Sequence, residues 1–348
     1  MDQTFGSISW KSPSNIAIVK YWGKYGKQLP QNTSISFTLN NAHTNTELKY
    51  RLKGEDRLPK VDVYFEGRLN PEFGKKSFAF IHALLNDIPC LNDYDYDIYT
   101  ENTFPHSSGI ASSASGMSAL ALCICELELI CKQVPFVYDD KFRLRASYIS
   151  RLGSGSACRS VYPVMASWGE HAEISGSSNE FAVPHEHDIH DVFKSFHDEI
   201  LIVSRAEKSV SSSAGHQLME DNPYAKARYA QANSNITKLL HILKEGDVPG
   251  FGKIAEDEAL TLHALMMCSD PSYILMEPNT LYLINKIRDY RAKTGVQVYF
   301  TLDAGPNIHL LYPDAVSEIV QGFIKQELEP HCEFILPDLV GNGPEKVI

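Results

Sequence analysis

Residues 117–130, "MSALALCICELELI", are hard to place anywhere but in an interior. The stretch from about Ser112 to Cys131 predicts a helix that is apolar nearly all round. A helix without a polar face belongs where other elements cover it. At 348 residues and 43% hydrophobic content, the chain can supply that cover, and its length predicts two domains or one large one. A membrane span needs about 18 consecutive apolar residues. This run falls short and carries Glu126 and Glu128, so no window is expected to cross a bilayer.

The residues ahead of the helix raise a chemical question. Positions 105–116 read "PHSSGIASSASG", small and rich in hydroxyls. A helix N-terminus presents unpaired N–H groups and a partial positive charge, which attract phosphate. Small residues let an anion approach those groups. Taken alone, an ordinary Ser-capped helix explains the stretch as well. Neither a GxxxxGK[ST] loop nor a GxGxxG fingerprint occurs.

Three more segments share this character. "KYWGK" sets Lys20 and Lys24 around an aromatic pair, and "LPQNTSIS" follows it. "RLGSGSACRS" offers Ser154, Ser156 and Arg159 among glycines, and residues 207–215 read "EKSVSSSAG". The formal net charge is −11, which argues against a general nucleic-acid binder with its basic face. An anion site in such a chain must gather its positive charge locally. Lys20, Lys24 and Arg159 are therefore expected to converge in one pocket.

The remaining pattern is α+β. Strands are expected in "NIAIVKYW", "ISFTLNN", "TELKYRL", "VDVYFEG", "YDIYTEN", "SVYPVMASWGE" and "ILIVS". Helices are expected over residues 75–88, 136–152, 222–245, 251–268 and 280–293, the last stopped by Gly295. "VQVYFTLDAGPNIHLLYP" alternates, turns and returns as a strand, leaving Asp303 at a strand end. Residues 178–199, polar and His-rich, read as the seam between two halves. Within it "HEHDIHD" contains His185, His187 and His190 but no HExxH, and is read as a solvated segment rather than a metal site. Seven cysteines without CxxC pairs, and an N-terminus without a basic-then-apolar profile, lead to a cytosolic expectation. Cys123 and Cys125 are read as core filling.

Seven blocks also carry a resemblance. "NIAIVKYWGK", "LPQNTSIS", "ENTFPHSSGIASSASG", "GSGSACRS", "KSVSSSAG", "LHA" at 262–264 and "TLDAGPN" follow one another as in mevalonate diphosphate decarboxylases of the GHMP kinase superfamily. The likeness runs from about residue 12 to 307, and "VGNGPEKV" near the end is similar too. It implies a two-domain GHMP-kinase-like α+β fold, with antiparallel or mixed sheets packed on helices. The ATP-binding domain would be 1–188 and the second 189–348, with the active-site cleft between them. It also implies a homodimer; charge and hydropathy lead to the expectation of neither nucleic-acid nor membrane partners.

The implied reaction uses ATP and Mg²⁺. Mevalonate 5-diphosphate is phosphorylated on its tertiary 3-hydroxyl, then loses phosphate and CO₂ to give isopentenyl diphosphate. By the resemblance, Asp303 is the catalytic aspartate, Arg159 the essential arginine that grips the carboxylate, and Lys20 their cationic neighbour. Tyr21, Lys24, Ser154 and Ser156 match the diphosphate clamp, with Asn32, Ser34 and Ser36 completing the pocket. Pro105, Ser107, Ser108, Gly109, Ser112 and Ser113 match the ATP loop, Ser112 and Ser113 also meeting Mg²⁺ through the phosphates. Ser209, Ser211 and Ser212 are weaker matches, related to substrate or closure. Relatives often read "PTAAGLASSAAG" where this chain has His106, Ser107, Ser108 and Ser115 in place of a threonine and small apolar residues. A mevalonate 5-phosphate decarboxylase, a related kinase and a catalytically silent sensor on the same fold are the alternatives.

Overall fold

The computed structural model describes residues 4–54, 57–105, 110–206 and 210–347. Two long antiparallel strands organise the N-terminal half: β1 (Phe5–Val19) and, after the short hairpin β2 (Lys24–Tyr25) and β3 (Leu29–Pro30), β4 (Ser34–Leu52). Thr44, Thr46, Leu48 and Tyr50 are buried in strict alternation, the two-residue period of a strand with one covered face. The two segments expected within 35–52 are thus one strand. The polar stretch between them does not break it, because Asp338 accepts the N–H groups of Asn40, Asn41 and Ala42 at 2.7–2.9 Å.

The half continues through β5 (Val61–Phe65), β6 (Arg68–Leu69), α1 (Pro71–Leu84), β7 (Tyr94–Asn102), α2 (Ser112–Cys131), α3 (Asp140–Gly153), β8 (Met165–Trp168) and β9 (Ala182–Pro184). Most of the strand expected over residues 160–170 is absent. A 3₁₀ turn, Gly155–Val161, precedes the four-residue β8. The second half holds β10 (His197–Ile202), α4 (Ser212–Gln217), α5 (Ala225–Glu245), α6 (Val248–Met267), α7 (Pro278–Thr294), β11 (Tyr299–Leu302), β12 (Ile308–Tyr312), α8 (Ser317–Phe323), β13 (Phe334–Leu336) and β14 (Glu345–Lys346). Gly295 ends α7 at φ 72°, a left-handed conformation that suits glycine.

One mixed sheet runs β14-β1-β4-β7-β5-β6, with β5 parallel to β7 and with β8 and β9 continuing from β4. The other is antiparallel, β11-β12-β10-β13. Cores form on the first sheet under α1, α2 and α3, and on the second under α7 and α8. A further core joins the halves, where Ile16 and Phe37 meet Phe193, Phe196 and Phe251. In the segment 178–199, His187 and His190 are exposed as a solvated stretch would have them, but other residues join this core. Phe193 and Phe196 are buried, and so is His185, whose Nε2 lies 2.8 Å from Ser167 Oγ.

α2 corrects one expectation. It is 20 residues long and apolar enough to cross a membrane by length and composition, although the sequence run looked too short. Most of it is buried in the protein instead. Ser118 and Ser115 bond Ser12 and Thr44 at 2.5 and 2.6 Å, so hydroxyls seat the helix closely on β1 and β4. Glu126 accepts from Trp10 Nε1 at 2.9 Å and pairs with Lys346, while Glu128 pairs with Arg145 and Lys132. Cys123 and Cys125 are both buried among its apolar neighbours.

Candidate active site

A cavity of about 560 Å³ opens where α2 begins, β1 ends and β11 turns. Lys20, Lys24, Arg159 and Asp303 all line it, together with Tyr21, Ser154, Ser156, Ser112 and Ser113. The three cations therefore converge, as an acidic chain holding an anion requires.

Arg159 comes from the 3₁₀ turn and is 2% exposed. Its Nε donates to Ser36 Oγ at 2.9 Å, Nη1 to Ser34 Oγ at 2.5 Å and Nη2 to Asn15 Oδ1 at 3.2 Å. Every one of these acceptors is neutral. Burial presses the guanidinium below its ordinary value, and the nearby Cys158, Tyr21 and Asp303 act against that. A buried cation without a bonded carboxylate is costly unless an anion completes it. Ser34 and Ser36, two apart on β4, do face one way, but the face is Arg159's and both are fully buried. They support the cavity wall from behind.

Lys20 follows β1 directly and is 2% exposed. Desolvation lowers its pKa to about 8, although Asp303, Glu258 and Asp198 pull the other way. Nζ donates to Ala17 O at 2.5 Å. The backbone is fixed as firmly: Glu258 Oε2 accepts the Lys20 N–H at 2.9 Å, and Asn32 Nδ2 donates to the Lys20 carbonyl at 2.9 Å. Asn32 is thus buried behind Lys20 and does not line the cavity. Glu258 is itself fully buried, held by Arg228 and by Asn235 Nδ2 at 2.7 Å.

Tyr21 packs with ring centroids 4.8 Å from Trp168 and 4.4 Å from His216. Its buried hydroxyl has no partner among the described residues, and burial pushes its pKa up. An orphaned donor at a cavity wall is ready for a ligand oxygen. Gly155 makes room beside it, since a Cβ there would sit 2.7 Å from the Trp168 ring and 3.0 Å from Tyr21 Oη. Lys24 Nζ rests on Gln28 Oε1 at 3.1 Å.

The first turn of α2 carries no acidic residue, and its N-cap, Ala111, has no side chain to bond the free N–H groups. Ser112 and Ser113 line the cavity at that end, with Ser154 Oγ 3.4 Å from Ser113 Oγ. Pro105 does not line it, and Ser107, Ser108 and Gly109 lie outside the described residues, as does Ser209. Ser211 caps α4 by accepting the Ala214 N–H at 3.2 Å, while Ser212 and Ser213 reach the cavity. Asp303 sits just past β11, its carbonyl 3.1 Å from His263 Nε2. Asn15, Lys76 and His216 also line the wall and were not anticipated. Only Asn15 sat inside a quoted block, "NIAIVKYWGK".

Residues 12–180 match the diphosphomevalonate decarboxylase-like N-terminal domain, and residues 199–336 match the mevalonate 5-diphosphate decarboxylase C-terminal domain. The chain is 30% identical over 338 residues to a diphosphomevalonate decarboxylase of Ganoderma lucidum, covering 90% of this chain and 80% of that protein. It is 28% identical to the human diphosphomevalonate decarboxylase, covering 92% of this chain and 80% of that protein. A solved structure described as "MDDEF in complex with MVAPP, AMPPCP and Magnesium" superposes with a TM-score of 0.82 at 26% identity, covering 99% of both chains. The mevalonate diphosphate decarboxylase of Enterococcus faecalis gives a TM-score of 0.81 at 25% identity, again over 99% of both.

Proposed function

Because this chain belongs to the mevalonate diphosphate decarboxylase family, we infer from the cavity how its own residues carry the reaction. The enzyme is an ATP-dependent carboxy-lyase that converts mevalonate 5-diphosphate to isopentenyl diphosphate. The observation that carries the assignment of roles is the convergence of Lys20, Lys24, Arg159 and Asp303 on one cavity that also meets the open first turn of α2.

Lys24, Tyr21, Ser154 and Ser156 hold the substrate diphosphate, a point charge and neutral donors being a fitting clamp for a flexible tail. Arg159 takes the carboxylate in its planar fork and so acquires the counter-ion that no described residue bonds to it. Ser34, Ser36 and Asn15 fix the plane of that fork, and Asn32 with Glu258 fixes the backbone of Lys20. Asp303 orients the 3-hydroxyl and accepts its proton late, as the bond from oxygen to phosphorus forms. Lys20 keeps Asp303 ionised and offsets the charge gathering beside it. When the phosphorylated oxygen leaves as phosphate, the electron pair of the carboxylate C–C bond becomes the new double bond and CO₂ departs. Arg159 serves this step by holding the breaking bond in line with the leaving group.

Among the described residues no group of three or more His, Cys, Asp or Glu could hold a metal. The donors that fit Mg²⁺ are the hydroxyls of Ser112 and Ser113 together with nucleotide phosphates, which the uncapped N–H groups of α2 suit. Magnesium supplies charge neutralisation for phosphoryl transfer when bound. Ser107, Ser108 and Gly109 belong to the same loop in this reading. We also take the enzyme to be a cytosolic homodimer without membrane or nucleic-acid partners; the net charge of −11 supports the last of these, and family matches over 12–180 and 199–336 support a division of its halves near residue 188.

The test is a parallel assay with ATP and Mg²⁺ on mevalonate, its 5-phosphate and its 5-diphosphate, following ADP and CO₂ together. Matching yields of both from the diphosphate alone are expected. ADP without CO₂ would withdraw the roles of Arg159 and Asp303.

A further inference from the structure

One buried titratable ring in the cavity wall has no part in the scheme above: His216, on α4. It is 9% exposed and lies between two aromatic rings of the Lys20–Lys24 segment, 4.4 Å from Tyr21 and 4.6 Å from Trp22. Its Nδ1 accepts the backbone N–H of Gly23 at 2.9 Å. A backbone N–H can only donate, so Nδ1 carries the lone pair and the proton of the neutral ring sits on Nε2. Nε2 meets no protein acceptor among the described residues, and the ring forms part of the wall of the 560 Å³ cavity. Burial, then Lys24, hold its pKa down to about 3 against the pull of Asp303, so the ring stays neutral through the working range.

The latch is built into the backbone on both sides. Gly23 has φ +96°, and a Cβ there would lie 2.2 Å from Tyr229 Oη. On α4, a Cβ at Gly215 would lie 2.5 Å from the Trp22 ring. Gly215 thus permits the close approach of α4 to Trp22 that brings His216 to the Gly23 N–H, while Gly23 supplies the left-handed turn under Tyr229 of α5.

We propose that His216 is a substrate-binding residue: its Nε2–H donates to an anionic oxygen of the bound substrate, phosphate or carboxylate, while Nδ1 holds the Tyr21–Lys24 turn in place. A neutral donor adds a hydrogen bond to an anion without a charge that would titrate, and it shares the cavity wall with Lys24 and Asp303. The inference rests on the reading that this cavity takes mevalonate 5-diphosphate.

Two substitutions separate the two nitrogens. His216→Asn keeps an acceptor about where Nδ1 stands and has nothing at Nε2. His216→Gln carries an amide towards the Nε2 position and loses the acceptor at Nδ1. Calorimetry without nucleotide should show His216→Asn weakening mevalonate 5-diphosphate binding about tenfold, the size of one hydrogen bond to a charged group. KM for ATP should stay within about twofold, and His216→Gln should regain part of the loss. Inorganic diphosphate and mevalonate, titrated separately, identify the oxygen by which of them shows the same weakening. In ¹⁵N-histidine spectra, the His216 signals, assigned by their loss in the Asn variant, should report the Nε2–H tautomer, with Nε2 shifting on substrate addition. An Nδ1–H tautomer, or wild-type affinity in His216→Asn, overturns the assignment alone. Failure of the wild type to bind or turn over mevalonate 5-diphosphate overturns the functional reading with it.

Discussion

Lys20 ties stability and activity to the same proton in opposite senses. In the folded, ligand-free protein its pKa is lowered from 10.5 to about 8, chiefly by desolvation. The folded pKa lies below the unfolded one, so between these values the unfolded chain binds more protons and stability rises with pH. Applied to the two pKa values, linkage gives a gain of about 2 kcal/mol between roughly pH 7 and pH 9.5. Urea unfolding followed by tryptophan fluorescence at both pH values, in wild type and in Lys20→Met, isolates this share, because other titrating groups cancel in the double difference. The variant should lack the gain. Turnover runs the other way: kcat/KM should fall on the alkaline side with an apparent pKa near 8, reporting the free enzyme. In Lys20→Arg, whose charge does not titrate, the limb should move out of range. A Lys20→Met protein with the full wild-type gain, or a Lys20→Arg protein with the wild-type limb, would refute the claim that Lys20 is a desolvated, functionally charged lysine.

Asp303→Asn should retain mevalonate 5-diphosphate binding in calorimetry while kcat drops by about 10²–10⁴, the range of general acid–base contributions; unchanged turnover would remove Asp303 from the chemistry. Ser36→Ala and Ser34→Ala each take one hydrogen bond from a buried guanidinium, so each should lose about 1.5–3 kcal/mol in kcat/KM with the protein still folded, and the pair should be non-additive by double-mutant cycle. Gly155→Ala pushes a methyl at the Trp168 ring and Tyr21 Oη, where it would lie 2.7 and 3.0 Å away. Its KM for mevalonate 5-diphosphate should rise more than its KM for ATP in steady-state kinetics, because the displaced ring belongs to the diphosphate clamp.

Local chemistry carried far in the sequence. α2 was legible because an apolar helix behind a small-residue loop has few places to go, and Asp303 because alternation ends abruptly at Leu302. What stayed hidden depends on distant partners. The strand β4 crosses a polar stretch only because Asp338 satisfies its N–H groups from almost 300 positions away. Ser34 and Ser36 share a face, as a period of two requires, but which side of the sheet meets Arg159 is decided by the fold. His216 and Glu258 gave no local signal at all. One is defined by a backbone N–H in another element, the other by Arg228, Asn235 and Lys20 converging on it.

The end of the chain returns to its beginning: β14 pairs with β1, Lys346 reaches Glu126, and Asp338 caps the middle of β4. A ribosome delivers these residues after every residue that lines the cavity. During synthesis the N-terminal sheet therefore waits with one edge unpaired and with donors of β4 unmet, until residues 338–346 have emerged. Gly341 makes the final docking sterically exacting, since a Cβ there would lie 2.3 Å from the Leu39 carbonyl oxygen. Nascent chains stalled or clipped before residue 338 should thus be substrates for chaperones and proteases, even though every residue that lines the cavity has already been made.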